Sequence, residues 1–354
     1  MRLTLFSFLY KIIRKISIML YSFWSMLMGK PFDLETISDF GNRQLSHLDS
    51  MPFDLFYSFS IPNGIITSFL NYEFKSPLIA ASFQPDKKAL SRWLRFGLGG
   101  VTFKTMMLDP QTGNERPRLS EIMVNGKKSF INAMGLPGEG VQSFVNTILD
   151  ENIFPREIPL GLSIGGDNKE EYVQVFHDIN RKMSSIYSQL FYELNISCPN
   201  TNDGKMLSEH PDDLLYVLSK IREESQCPII IKLSPDQDEI EILRMIETIK
   251  SVSDIGINTG NTSYMSREKA GLNEYNFKPV GGGVSGPSLF LKVLNMIKLL
   301  KPFKLPIIAT GGIDSGEKAK AAIHEGATLI GMASALVIDP YCIPRINQYL
   351  GIHK

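Results

Sequence analysis

The 354-residue chain has little cysteine, no net charge and no long apolar run, and each shortage removes a class of function. Its three cysteines, Cys198, Cys227 and Cys342, are odd in number and far apart, so no CxxC pair or Cys/His cluster suggests zinc. A reducing compartment follows. Two of the thiols are expected as buried apolar side chains, which leaves one to be explained. Lys and Arg number 37, as do Asp and Glu, so no bulk field draws nucleic acid or an anionic substrate, and any anion needs a local site. The uninterrupted apolar stretch from Ile16 to Gly29 falls short of the roughly 20 residues that a membrane span requires. The remainder, 43% apolar and 21% charged, is ordinary for a soluble globular protein long enough to bury one large core or two modest ones.

The first 40 residues are unlike the rest and are read as a helical extension ahead of a catalytic domain over 41–354. Large apolar residues dominate residues 3–29, while Thr4, Ser7, Lys11, Arg14, Ser22 and Ser25 recur in steps of three and four, one narrow stripe of a helix. A signal peptide would need a small-residue cleavage pattern, and none follows. A helix lying in a membrane interface fits the wide apolar face, the basic residues and Trp24. A helix packed on the protein's own core is the plainer alternative. The interfacial helix is preferred, which places the protein on the cytoplasmic side of a membrane as a peripheral protein, with a soluble cytoplasmic protein as the alternative.

From Leu78 onward short β-prone runs alternate with helical stretches. The runs are 78–82, 100–103, 159–164, 190–196, 228–233, 254–258, 306–310 and 327–332. Eight parallel β/α units over about 250 residues is the size of a closed (β/α)8 TIM barrel. An open doubly wound sheet would show a GxGxxG turn after its first strand, and AASFQPDK stands there instead. Two long interruptions, 108–154 and 259–286, are expected as functional loops or insertions.

Barrel enzymes carry their reacting groups at the carboxyl ends of the strands. Polar residues follow the apolar runs at those places: Lys104, Ser163, then Asn195, Ser197, Cys198 and Asn200, then Lys232, Asn258, Asn261 and Thr262, Thr310 with Gly311 and Gly312, and Ser334. Asparagine offers a donor and an acceptor to the amide edges of a flat heterocycle, and lysine can neutralise a carboxylate or a reduced flavin. Each asparagine could instead cap a helix or turn a loop. ATGGIDSG (309–316) and GMASAL (331–336) fall at the usual phosphate site after strands seven and eight, and GGGVSG (281–286) is read as another glycine-rich anion nest. Cys198, at a strand end among polar neighbours, suits a base better than a nucleophile, because no histidine is placed beside it by sequence, although folding could bring His210 close.

Together FKSPLIAAS (74–82), FKTMMLDPQTGNERPRL (103–119), INAMGLPGEGV (131–141), NISCPNT (195–201), IKLSPD (231–236), NTS (261–263), GGVSG (282–286) and ATGGIDS (309–315) resemble the dihydroorotate dehydrogenases. The resemblance implies a TIM barrel that uses FMN to oxidise dihydroorotate to orotate. It casts Cys198 as the base at C5, with hydride passing from C6 to the flavin. Lys104, Asn132, Asn195, Asn200, Asn261 and Thr262 look like the substrate-binding set. Ala81, Ser82, Lys104, Ser163, Asn195 and Lys232 look like cofactor contacts, with Gly286, Gly311, Gly312, Ala333 and Ser334 in the phosphate region. No metal is implied. Soluble members of the family use cysteine as base, whereas membrane-bound, quinone-using members carry an amino-terminal extension and usually serine; this chain has the extension and the cysteine. Gly138 stands where the soluble branch usually has asparagine. Quinone is the expected acceptor, with fumarate or an NAD-linked partner left open, and the membrane surface is met through residues 3–29. No nucleic acid is expected, and a homodimer is left open. A dihydropyrimidine dehydrogenase-like reductase and a non-catalytic, membrane-attached FMN-binding protein are the rivals.

Overall fold

A computed structural model describes residues 2–48, 54–151, 154–196 and 207–353. Two helices come first, α1 (Arg2–Leu27) and α2 (Leu34–Leu48), then a short α3 (Asp54–Tyr57) and the hairpin β1 (Thr67–Phe69) with β2 (Tyr72–Phe74). Strand and helix then alternate through β3 (Leu78–Ala80), α4 (Lys87–Phe96) and β4 (Gly100–Met106). A second hairpin, β5 (Leu119–Val124) with β6 (Lys127–Asn132), precedes α5 (Gly140–Glu151), β7 (Leu160–Ile164), α6 (Lys169–Met183) and β8 (Leu190–Asn195). There follow α7 (Pro211–Glu224), β9 (Ile229–Lys232), α8 (Glu239–Ile249), β10 (Ile255–Asn258), β11 (Ser263–Ser266) and β12 (Gly281–Ser285). The chain closes with α9 (Phe290–Leu300), β13 (Ile307–Thr310), α10 (Gly316–Glu325), β14 (Leu329–Met332), α11 (Ser334–Ile338) and α12 (Cys342–Ile352).

The eight apolar runs are the eight strands of a closed parallel barrel, in the order β3, β4, β7, β8, β9, β10, β13, β14. Each strand is buried on both faces, which is why it reads as a continuous apolar run. Alternate residues then go to different cores. Leu190, Tyr192 and Leu194 of β8 pack outward with the helix layer, whereas Phe191 joins Ile79, Ile230, Ile308 and Leu329 inside the barrel. Phe69 and Phe74 of the β1–β2 hairpin complete that inner cluster. Side-chain size alternates inside: a Cβ on Gly161 would fall 2.4 Å from the Phe191 ring, and one on Gly331 would fall 1.9 Å from Thr310 Oγ1. Above the apolar floor, two residues further along β7, β8, β9 and β13, the inward positions turn polar, at Ser163, Glu193, Lys232 and Thr310.

The two long interruptions are not separate loops. They meet in one four-stranded sheet, ordered β11, β12, β6, β5. Gly281–Gly283 therefore do not form the anion nest expected of GGGVSG. They are strand residues of β12, paired with β11 and β6. Glycine is needed there because a Cβ would strike Tyr264, the Asn132 carbonyl or Thr262. Only Gly286, at φ +134°, forms a turn.

The extension is helical as expected, and α2 runs on through residue 40, the expected boundary. Only part of the polar stripe of its first helix packs inward: Thr4, Lys11 and Ser22 stay exposed. Ser7 and Ser25 are buried, and Leu3, Phe6 and Tyr10 are partly buried against the core. Ser7 Oγ donates to Asp339 at 2.7 Å, Tyr10 donates to the Val337 carbonyl, and Arg14 pairs with Glu121. The large apolar residues face away: Phe8 is 61% exposed, Ile13 63% and Leu20 63%. An ordinary surface helix has the opposite arrangement. Among the described residues no helix is long and apolar enough to cross a membrane.

Candidate functional site

Lys104, Ser163, Asn195, Lys232, Asn258 and Thr310 lie toward the carboxyl ends of barrel strands, Ala81, Ser82, Asn261, Thr262, Gly311, Gly312, Ala333 and Ser334 follow such strands, Asn132 ends β6, and Gly286 follows β12. Cys198 and Asn200 lie outside the described residues. The other cysteines are no rivals for chemistry. Cys342 is buried, and burial raises its thiol far above its ordinary value. Cys227 is only half-buried, contrary to expectation, and burial raises its thiol too; Ser225 Oγ lies 3.0 Å from it.

A chain of hydrogen bonds ties the expected residues together across the barrel interior. Asn261 Nδ2 donates to Asn195 Oδ1 at 3.4 Å, and Asn195 Nδ2 donates to Thr105 Oγ1 at 3.1 Å. The Thr105 and Ser163 hydroxyls are 3.0 Å apart, and Ser163 Oγ donates to Glu193 Oε1 at 3.1 Å. Ser82 also donates to Glu193, while Lys232 Nζ donates to Ser82 at 2.7 Å and lies 3.3 Å from Glu193. Asn258 Nδ2 gives the second carboxylate oxygen its bond at 2.7 Å.

Glu193 is the hub, and it was not among the expected site residues. The signal was present: one carboxylate interrupts the run LFYELNI. On β8, Glu193 shares the inward face with Phe191 and Asn195, between the apolar floor and the mouth. Burial alone would push its carboxyl up. The Lys232 ammonium and the donors from Ser82 and Asn258 outweigh burial and hold it below the ordinary carboxylate value.

Lys104 and Thr105 owe their places to a bulge. The β4–β7 register shifts between Phe103 and Met106, so successive residues escape strict alternation. Thr105 joins the network, and Lys104 Nζ donates to the Pro137 carbonyl at 2.8 Å. Burial, with the positive charge of Arg118 adding to it, lowers the Lys104 ammonium to about 8. Asn132 ends β6 and donates to the Gly283 carbonyl at 3.3 Å. A Cβ on Gly283 would lie 1.9 Å from Thr262 Oγ1, so Asn132 and Thr262 both approach Gly283 of β12.

The mouth suits a large planar group carrying a phosphate. Thr310 Oγ1, at the end of β13, is buried without a hydrogen-bond partner. Gly286, Gly311 and Gly312 all have positive φ, and a Cβ on Gly312 would lie 2.8 Å from Phe290 N and 2.9 Å from the Gly286 carbonyl. The turns after β12 and β13 are thus in backbone contact, a cradle any side chain would fill. Ala81 and Ser82 follow β3, and Ala333 and Ser334 follow β14, the strand paired with it. A buried lysine, hydroxyls, amides and glycine turns would fit a flavin mononucleotide, and there is no group of three or more metal-ligating side chains among the described residues.

Residues 65–352 match the family model of dihydroorotate dehydrogenase. The chain is 30% identical over 300 residues to the dihydroorotate dehydrogenase B (NAD(+)) catalytic subunit of Streptococcus pneumoniae serotype 4, covering 81% of this chain and 91% of that protein. It is 29% identical over 332 residues to the dihydroorotate dehydrogenase (quinone) of Yersinia enterocolitica, covering 90% and 96%. The fold is similar to the crystal structure of DHODH from Eimeria tenella in complex with ferulenol, with a TM-score of 0.69 and 18% identity over 83% of this chain and 85% of that one. With a barrel of this topology and a family match over most of its length, the chain belongs to the dihydroorotate dehydrogenase family of oxidoreductases.

Proposed function

We propose that this chain oxidises dihydroorotate to orotate in pyrimidine synthesis, with FMN held across the strand ends and quinone as the electron acceptor. The observation that carries the reading is the buried network from Asn261 to Lys232, which gathers amide donors and one ammonium at the carboxyl ends of the barrel strands. Bound FMN supplies the two-electron acceptor for the hydride leaving C6. Lys232, its charge fixed by Glu193, offers a cation to the flavin ring, while Ser82 and Ser163 are held by the same carboxylate. Gly286, Gly311, Gly312, Ala333 and Ser334 take the phosphate, and Ala81 lines the ring. Asn132, Asn195, Asn200, Asn261 and Thr262 hold the pyrimidine, and Lys104 faces its carboxylate. Cys198 as thiolate takes the C5 proton, so one proton and one hydride leave the substrate and a C5–C6 double bond forms.

Two observations support quinone and a lipid surface. The outward face of α1 is an apolar strip with Trp24 and Lys15 on it, the composition of a helix lying in a bilayer interface. The relatives also include quinone-type enzymes, such as the Yersinia enterocolitica protein matched over 90% of this chain. A helix that leaves Phe8, Ile13, Leu20, Phe23 and Trp24 exposed along one side has an apolar environment to meet. A peripheral position on a membrane follows, with residues 1–40 as the anchoring unit and 41–354 as the catalytic one.

The test is the visible spectrum of the purified protein under anaerobic conditions. Dihydroorotate should bleach the flavin, and Cys198→Ala should keep the flavin colour yet lose bleaching by at least about 100-fold in rate. A flavin that stays yellow with dihydroorotate but bleaches with dihydrouracil overturns the substrate assignment. Loss of both colour and bleaching in Cys198→Ala makes the cysteine structural.

A further inference from the structure

We infer that Glu35, on the amino-terminal extension, is a positioning residue for the substrate side of the barrel, acting through Arg118. The inference rests on the substrate reading above. Arg118 is 6% exposed, and its guanidinium meets the Glu35 carboxylate at two points, Nε to Oε1 at 2.9 Å and Nη2 to Oε2 at 3.2 Å. Its remaining Nη1 donates to the carbonyls of Thr112 and Asn114, at 2.9 and 2.7 Å. All three guanidinium nitrogens are thus committed, in the fork geometry that Arg supplies and Lys does not.

The loop held in this way leads directly to the proposed substrate contacts. Asn114 N donates to the Met134 carbonyl at 3.1 Å, and Asn114 Nδ2 donates to the Ala133 carbonyl at 2.8 Å, one residue beyond Asn132. Gln111 and Gly138 exchange two backbone bonds of 2.9 Å, beside the Pro137 carbonyl that holds Lys104. Gly113 admits no side chain, because a Cβ would fall 2.2 Å from the Met134 carbonyl and 2.4 Å from Arg118 Nη1. Loops 111–114 and 133–138 are therefore tied to each other, and the counter-charge of Arg118 between them is supplied by α2. A parallel pair, Arg116 with Asp33 at 2.7 Å, fixes the turn before α2, and the Asp33 carboxylate also accepts from Glu35 N at 3.0 Å.

Arg118 and Glu35 are also the charged groups facing Lys104 among the described residues: the first lowers its proton affinity and the second raises it. Removing the Glu35 charge leaves Arg118 uncompensated next to Lys104, so Lys104 loses its proton at a lower pH. A role in folding alone would leave that titration where it is.

The experiment is calorimetric binding of orotate to the holoenzyme across pH 6 to 9.5, for wild type, Glu35→Gln, Glu35→Asp and the remote control Glu223→Gln. All are compared at the same pH, so the ligand's own ionisation cancels. Wild type should bind orotate evenly up to about pH 8 and more weakly above it. In Glu35→Gln the alkaline limb should move down by roughly one pH unit, weakening orotate about threefold at pH 7.5. Glu35→Asp, which keeps the charge, should restore the limb, and Glu223→Gln should match wild type. Glu35→Ala replaces Glu35→Gln if that variant does not fold. An unmoved limb in the charge-free variants overturns the inference, whereas wild-type protein that binds no orotate at any pH overturns the substrate reading instead.

Discussion

Lys232 Nζ lies 3.3 Å from Glu193 Oε1 in the barrel interior, at 7% and 2% exposure, so the two charges are compensated by each other rather than by water. Such a pair costs desolvation on both sides and persists only where further hydrogen bonds satisfy the remaining lone pairs. Ser82, Ser163 and Asn258 supply those bonds. The arrangement fixes a cation just above an apolar floor, at the height of the mouth where Asn195 and Asn261 converge.

Removing the anion should therefore be costly. Glu193→Gln leaves Lys232 charged without its counterion and should lower stability by about 3–5 kcal/mol, measured by urea unfolding. The double variant Glu193→Gln with Lys232→Met should recover most of the loss. The Glu193 carboxyl is held below its ordinary value, mainly because Lys232 and the hydroxyl and amide donors outweigh burial. A depressed carboxyl contributes stability that is complete above the ordinary range near about 4.3 and lost as pH falls through the folded value. The gap between wild type and Glu193→Gln should thus narrow below pH 4. A gap that stays constant between pH 3 and 7 would count against the pair.

The outward face of α1 separates folding from membrane contact. Ile13→Glu touches no inward contact and should leave the unfolding free energy within about 0.5 kcal/mol of wild type, while reducing cosedimentation with anionic vesicles. On the opposite face, Ser7→Ala removes a hydroxyl from the buried Asp339 carboxylate and should cost about 1 kcal/mol without changing vesicle binding. Equal sedimentation of wild type and Ile13→Glu would remove the lipid surface from the proposal.

Gly312→Ala tests the phosphate cradle. The alanine would hold φ +73° against its steric preference, at a cost of about 1–2 kcal/mol, and its methyl would press on Phe290 N and the Gly286 carbonyl. The purified variant should carry less flavin per chain, read from the ratio of visible to ultraviolet absorbance. Gly126→Ala, at a positive φ with open space around it, should share the strain but keep the flavin. Full flavin loading of Gly312→Ala would show that the two turns are not the phosphate site.

The sequence by itself determined the barrel and most of its mouth. Parallel strands buried on both faces must be written as unbroken β-branched runs, so β9 with its Ile229–Ile231 could hardly be anything else, and residues such as Lys232 that end those runs fall at one rim. Helical spacing likewise revealed the two faces of α1. Tertiary structure alone decided which face turns inward, because periodicity fixes the angle between two stripes and not what either stripe meets. It decided too that residues 119–132 and 263–285 share one sheet, that Glu193 joins Ser82, Ser163, Lys232 and Asn258, and that Glu35 reaches Arg118 across 83 positions. Each of these is a pairing between distant segments whose energy depends on separation in space, a quantity that local composition and spacing do not encode.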